Sequence, residues 1–140
     1  MKSKAEYALL AAMDLAVHYA ADRPVKVQDI ARRTGAPAKY LGQLLLRLKA
    51  RALVRSAQGP SGGYWLMRRP ALISAAEILE AIATARDGRH RQALPKGAYR
   101  DVLKALASRM EDAQRRLLSN ITLADLAEQT GRAPQQERHA

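Results

Sequence analysis

In the segment "PAKYLGQLLLRLKAR", Lys39, Gln43 and Arg47 recur every four residues and so share one face of a helix. Leu41, Leu44, Leu45 and Leu48 occupy i, i+3, i+4 and i+7 on another. An ammonium, an amide and a guanidinium on one exposed ridge can donate to phosphate oxygens and to base edges. Bond-breaking chemistry finds less to work with. The three histidines, His18, His90 and His139, fall in a helix, a loop and a tail. No Gly-rich phosphate cradle opens a helix after a strand, and no His-Glu-x-x-His spacing occurs. The expectation is that the chain is not an enzyme. It also has no cysteine, which removes disulfides and thiolate metal sites and suits an intracellular protein. Glu6 and His90 could each donate one metal ligand, but isolated residues of these types are ordinarily surface groups, so neither a metal nor a cofactor is expected.

Charge points the same way as the ridge. The 140 residues carry 24 Lys and Arg against 13 Asp and Glu, a formal +11, with an isoelectric point near 10.6. Such a balance suits a polyanionic partner, with nucleic acid first. An anionic membrane would need a basic amphipathic helix with bulky apolar anchors, and the basic residues are instead spread over loops and several helices. No run reaches the ~18 apolar residues of a membrane span, and the N-terminus lacks a secretory signal pattern, so a cytoplasmic location is expected. Phenylalanine is absent, and five tyrosines and one tryptophan are scattered, which argues against a platform for stacking single-stranded bases. Double-stranded DNA is the better match.

The elements that would position the ridge follow from periodicity and punctuation. "AEYALLAAMDLAVHYAA", residues 5–21, predicts a helix buried over most of its circumference, with Glu6, Asp14 and His18 as a narrow polar stripe. "DRP" ends it. "QDIARRTG" predicts a short helix turned inward at Val27, Ile30 and Ala31 and stopped at Gly35. The ridge-bearing helix follows at once, which makes a helix-turn-helix. "LVRSA" and "YWLM" then predict two strands joined by "QGPSGG", a stiff hairpin or wing. In "ISAAEILEAIA", Ser74 and Glu77 form a capping box, and Ile73 and Ile78 are placed as a hydrophobic staple. Residues 84–97 read as a loop. Tyr99, Leu103, Leu106, Met110, Ala113 and Leu117 then mark a heptad seam on a long helix, with Glu111 to Arg115 and Asp112 to Arg116 as outer ion pairs. Such a seam asks for a second helix, and a homodimer supplies one. Thr122 and Asp125 start a closing helix, and the polar end of the chain is expected to be disordered.

This predicts a mainly α chain: a winged helix-turn-helix over 1–83, a loop over 84–97, a long dimerisation helix with its short closing helix over 98–128, and a tail over 129–140. The N-terminal half of a recognition helix enters the major groove. Ala38, Lys39, Tyr40, Gln43 and Arg47 are therefore the expected contacts, with Gln28 beside them. Gly42, unfavourable inside a helix, would permit close approach. The wing contributes Arg55, Gln58, Gly59, Pro60, Ser61, Gly62, Gly63 and Tyr64. The seam residues, continued by Ile121, form the expected dimer interface.

"YALLAAMDLA", "AKYLGQLLLRLKARALVRS", "QGPSGGYWL", "AAEILEAI" and "NITLADLA", in this order and at these separations, resemble the Rrf-two family of winged-helix transcription regulators over residues 1–128. "GPSGGY" and "NITLADL" are the most specific elements. The resemblance implies a homodimer clasped through long C-terminal helices on a pseudo-palindromic operator, with Lys2, Ser3, Lys4 and Tyr7 also reaching the DNA backbone. It implies a regulator, with repression as the expected mode. Four departures matter. Many members read Tyr-Leu-Glu-Gln where this chain has Tyr40, Leu41, Gly42 and Gln43, which removes a carboxylate that could accept from cytosine. Many carry arginine where the wing has Gln58, which leaves Arg55 as the nearest cation. Pro37 replaces a capping serine. Well-known members hold an iron-sulfur cluster on three cysteines in the loop before the long helix, and here that loop reads "RDGRHRQALPKG". Arg86, Arg89, His90, Arg91 and Lys96 could receive an anionic metabolite or an acidic protein, although solvated charges or further phosphate contacts are the simpler reading. The alternative function is a winged-helix module whose basic face binds an acidic protein instead of DNA.

Overall fold

A computed structural model describes residues 3–19, 23–83 and 96–131. Most of the expected loop, Lys2, His90, His139 and the end of the expected tail lie outside the described residues.

Helix α1 (Ser3–Val17) forms where alanine and leucine dominate, and it buries Ala8, Leu9, Ala11, Ala12, Leu15 and Ala16. It ends at Val17, short of the expected Ala21, where Tyr19 N–H turns back to the Ala16 carbonyl at 3.3 Å. The anticipated polar stripe is covered at Asp14, which is only 8% exposed. Arg33 of α2 (Val27–Thr34) donates from Nε and Nη2 to its two carboxylate oxygens, both at 2.8 Å. The hydrogen bond to Asp14 raises the Arg33 pKa above its ordinary value, against the desolvation that burial brings. A buried carboxylate needs such a partner, and the pair joins α1 to the first helix of the helix-turn-helix. His18, of the same stripe, is half-buried, with Nδ1 2.8 Å from the Asp14 carbonyl oxygen.

Gly35, at φ 81°, ends α2 by donating to the Ala31 carbonyl at 2.8 Å. Helix α3 (Ala38–Ala50) begins after Pro37 without a side-chain cap and buries Leu41, Leu44, Leu45 and Leu48. Its end is a Schellman turn: Ala52 N–H reaches the Lys49 carbonyl at 2.9 Å, and Leu53 N–H reaches Leu48 at 3.0 Å. Ala52 stands at φ 58° in this turn, a conformation that suits glycine.

Strands β1 (Val54–Ala57) and β2 (Gly63–Leu66) are antiparallel, with Arg55 opposite Trp65 and Ser56 opposite Tyr64. Val25, before α2, pairs with Tyr64 through two backbone bonds of 2.9 Å and so pins the hairpin to the helix-turn-helix. A 3-10 turn at Pro70–Leu72, which the sequence pattern did not signal, leads to α4 (Ala75–Ile82). The Ser74–Glu77 capping box and the buried pair Ile73 and Ile78 form as expected. Arg68 also donates to Glu77 at 2.9 Å. Partial burial opposes the Glu77 charge, yet the Ser74 N–H and Arg68 outweigh it and hold the carboxyl below its ordinary pKa.

Helix α5 (Ala98–Ser119) packs along α4 and buries none of its residues. Arg115 reaches Asp112 at 3.3 Å and Glu80 of α4 at 3.9 Å, contacts that the heptad spacing did not signal. Helix α6 (Leu123–Gln129) opens with the Thr122–Asp125 capping box. It returns to the main core: Ser74 and Thr122 form a bridge, and Leu123 and Ala127 join the same apolar cluster as α1, α3 and α4.

Ala52 yields a stability prediction. A non-glycine residue in the left-handed region costs about 1–2 kcal/mol, partly offset by the larger unfolded-state entropy of glycine. Ala52→Gly is expected to raise stability by about 0.5–1 kcal/mol in chemical denaturation; an unchanged or lower midpoint contradicts the assignment.

Candidate nucleic-acid interface

The buried leucines of α3 leave Lys39, Gln43, Leu46, Arg47 and Lys49 exposed. Ala38 and Tyr40 are half-buried at its start. Tyr40 meets Tyr7 edge-on, with ring centres 5.4 Å apart, which sets the N-terminal end of α1 beside that of α3. Ser3 is exposed and Lys4 half-buried there. The N-terminal ends of α1 and α3, with Ser3, Lys4, Tyr7, Ala38 and Tyr40, thus lie side by side.

Between α3, the start of α2 and the wing runs a groove of about 770 Å³, lined by Lys26, Gln28, Leu46, Lys49, Ser56 and residues of the hairpin turn. Lys49 Nζ donates to Ser56 Oγ at 2.8 Å across it. A strip of amine, amide and hydroxyl groups of this kind can hold a phosphodiester backbone. The sequence reading named Gln28 and the wing but missed Lys26 and Lys49. Lys49 lies six residues beyond Gln43, on the flank of α3 that only the folded hairpin makes relevant.

The wing owes its shape to backbone crowding. Gln58, Gly59, Pro60 and Ser61 are exposed at the tip, where Gly59 adopts φ 93° and accepts from Gly62 N–H at 2.9 Å. A Cβ on Gly62 would strike the Ala57 carbonyl oxygen, and one on Gly63 would strike that of Val25. Glycine is required at Gly62 so that the turn can close on Ala57 and Gly59, and at Gly63 so that β2 can approach Val25 closely. Tyr64 is half-buried against the core.

Two expected contacts are engaged within the chain. Arg47 donates from Nη1 to the Ile82 carbonyl at 2.8 Å, at the C-terminal end of α4. The Arg55 guanidinium stacks over Trp65, 4.5 Å from the ring centre, a cation–π contact made by its cross-strand partner. Lys39 and Gln43 therefore form the outward part of the ridge, while Arg47 ties α3 to α4.

The seam of α5 is open. Tyr99 is 91% exposed, and Leu103, Leu106, Met110, Ala113 and Leu117 are also exposed. Val102, absent from the expected seam, is exposed beside them. Ile121 differs: it is half-buried against the core of its own chain.

A helix-turn-helix, a glycine-shaped two-stranded wing and a basic groove between them define a winged-helix DNA-binding regulator. The profile of the Rrf2 family, described as an iron-dependent transcriptional regulator, matches residues 1–129. The chain belongs to this family. IscR of Yersinia pseudotuberculosis is 34% identical over 128 residues, 90% of this chain and 77% of that protein. A protein of Azotobacter vinelandii named as an HTH-type transcriptional regulator, ORF2, is 43% identical over 82 residues, 59% of this chain and 49% of that one. Among solved structures, IscR of T. potens superposes with a TM-score of 0.74 at 29% identity, covering 93% of this chain and 87% of that one. CymR, the global cysteine regulator of B. subtilis, gives 0.69 at 28% identity over 91% and 95%. These relatives are transcriptional regulators, not enzymes.

Iron is a separate matter. The sequence has no cysteine, and among the described residues no group of three or more His, Cys, Asp or Glu could hold a metal ion. The side chains present do not fit an iron-sulfur cluster, which is held chiefly by thiolates.

Gly63→Ala tests the crowding at the wing. It is expected to lower stability by about 1–3 kcal/mol through overpacking against Val25; a thermal melt indistinguishable from the parent contradicts the close approach.

Proposed function

We propose that the chain is a sequence-specific DNA-binding regulator that acts as a homodimer on a pseudo-palindromic operator in the cytoplasm, as a repressor, and with an effector other than an iron-sulfur cluster. The observation that carries this reading is the basic groove, which Leu46 and Lys49 of α3 line together with Lys26, Gln28 and the wing, while Lys39 and Gln43 stand exposed on the same helix. The excess of positive charge supplies the attraction to a duplex. The dimer is supported by α5, whose Tyr99, Val102, Leu106 and Met110 would otherwise leave an apolar stripe in water. Among the described residues no helix is long and apolar enough to cross a membrane. The absence of cysteine supports a signal other than a cluster, such as an anionic metabolite or an acidic protein.

Lys39→Ala is expected to weaken duplex binding and to reduce the slope of log K against log salt by about one phosphate's worth. Affinity that is indifferent to salt in the parent protein would instead indicate recognition of a protein surface. Leu106→Glu combined with Met110→Glu is expected to give monomers in sedimentation velocity. A persistent dimer would exclude α5 from the interface.

A further inference from the structure

Leu46 is 58% exposed on the same side of α3 as Lys39 and Gln43. It serves no purpose in the core, which takes Leu41, Leu44, Leu45 and Leu48 from this helix. It is also remote in function from the α5 stripe, since it lines the basic groove beside Lys49 and the wing. A lone exposed leucine is common and decides nothing alone. Its neighbour on the helix changes the picture. Gly42 lies one turn earlier on the same face, and nothing stands within 4 Å of the place a Cβ would occupy. The fold therefore does not demand glycine there, although glycine weakens a helix interior. A bare step of backbone beside an exposed apolar side chain, flanked by Lys39 and Gln43, is complementary to a surface approaching from outside.

Resting on the DNA-binding reading, we propose that Leu46 reads the 5-methyl group of a thymine in the operator major groove, and that Gly42 lets the helix backbone come close enough for that contact. The thymine methyl is the apolar group that a base pair presents in the major groove, and an apolar side chain long enough to touch it recognises it. The surrounding lysines would hold the adjacent phosphates and keep Leu46 against the base edge.

The test uses the full chain and a duplex enriched from a random pool, with each thymine replaced in turn by deoxyuridine. At one position in each half-site the parent protein should lose about fourfold in affinity, the effect of one methyl group no longer withdrawn from water. Leu46→Ala should bind thymine and deoxyuridine equally at that position while retaining the parent's response elsewhere. An identical deoxyuridine profile for parent and Leu46→Ala overturns the assignment of Leu46. Gly42→Ala, which has open space in the protein alone, should fold and bind the same operator more weakly; unchanged affinity overturns the part given to Gly42. If no duplex is enriched, the DNA-binding reading itself falls and this inference with it. A duplex bound in a salt-dependent manner with no Leu46-dependent thymine removes only the inference.

Discussion

Burial of one side of α3 is the constraint on which the remainder of the surface depends. Leu41, Leu44, Leu45 and Leu48 are withdrawn from water, and each such side chain contributes about 1.5–3 kcal/mol. Rotating the helix to hide Lys39 or Gln43 would forfeit much of that and add the desolvation of a charge or an amide. The polar ridge points outward because the leucines cannot. The Asp14–Arg33 pair and the Tyr7–Tyr40 contact then fix α1 against the helix-turn-helix. The wing is placed by backbone pairing of Tyr64 with Val25. Helix α3 and the wing are thus joined to one frame, with the groove between them.

The second half of the molecule is organised by the return of the chain. Helix α6 docks Leu123 and Ala127 into the core, and the Ser74–Thr122 bridge sets the two capping boxes side by side. This anchors the C-terminal end of α5, while Arg115 and Glu80 hold its flank near α4. The helix is held by one side and offers the other. In the proposed dimer, two such helices cover each other's stripes and carry two grooves to one duplex. Arg47 gives α3 a direct bond to the last turn of α4, beside the packing of the two helices.

Features set by local chemistry were legible in the sequence. Both capping boxes, the stop at Gly35, the buried leucines of α3 and the hairpin follow from residues close together in the chain. What escaped depends on tertiary contacts. Asp14 reads as part of a polar stripe until Arg33, nineteen positions on, covers it. Arg47 and Arg55 also make contacts within the chain, to the Ile82 carbonyl and the Trp65 ring, that their local sequence does not signal. Lys26 and Lys49 gain meaning only when the folded hairpin closes the groove. Ile121 fits the heptad arithmetic and also packs against the core of its own chain, where its carbonyl accepts from Ala75 at 2.8 Å.

The most direct measurement of the central claim is a hydroxyl-radical footprint, with stoichiometry, on duplexes enriched by the full chain. Two copies gripping one duplex should select an inverted repeat, protect two half-sites centred about one or two helical turns apart, and bind at two chains per site. A single asymmetric footprint occupied by one chain, or protection confined to one recognition helix without its wing, would contradict it.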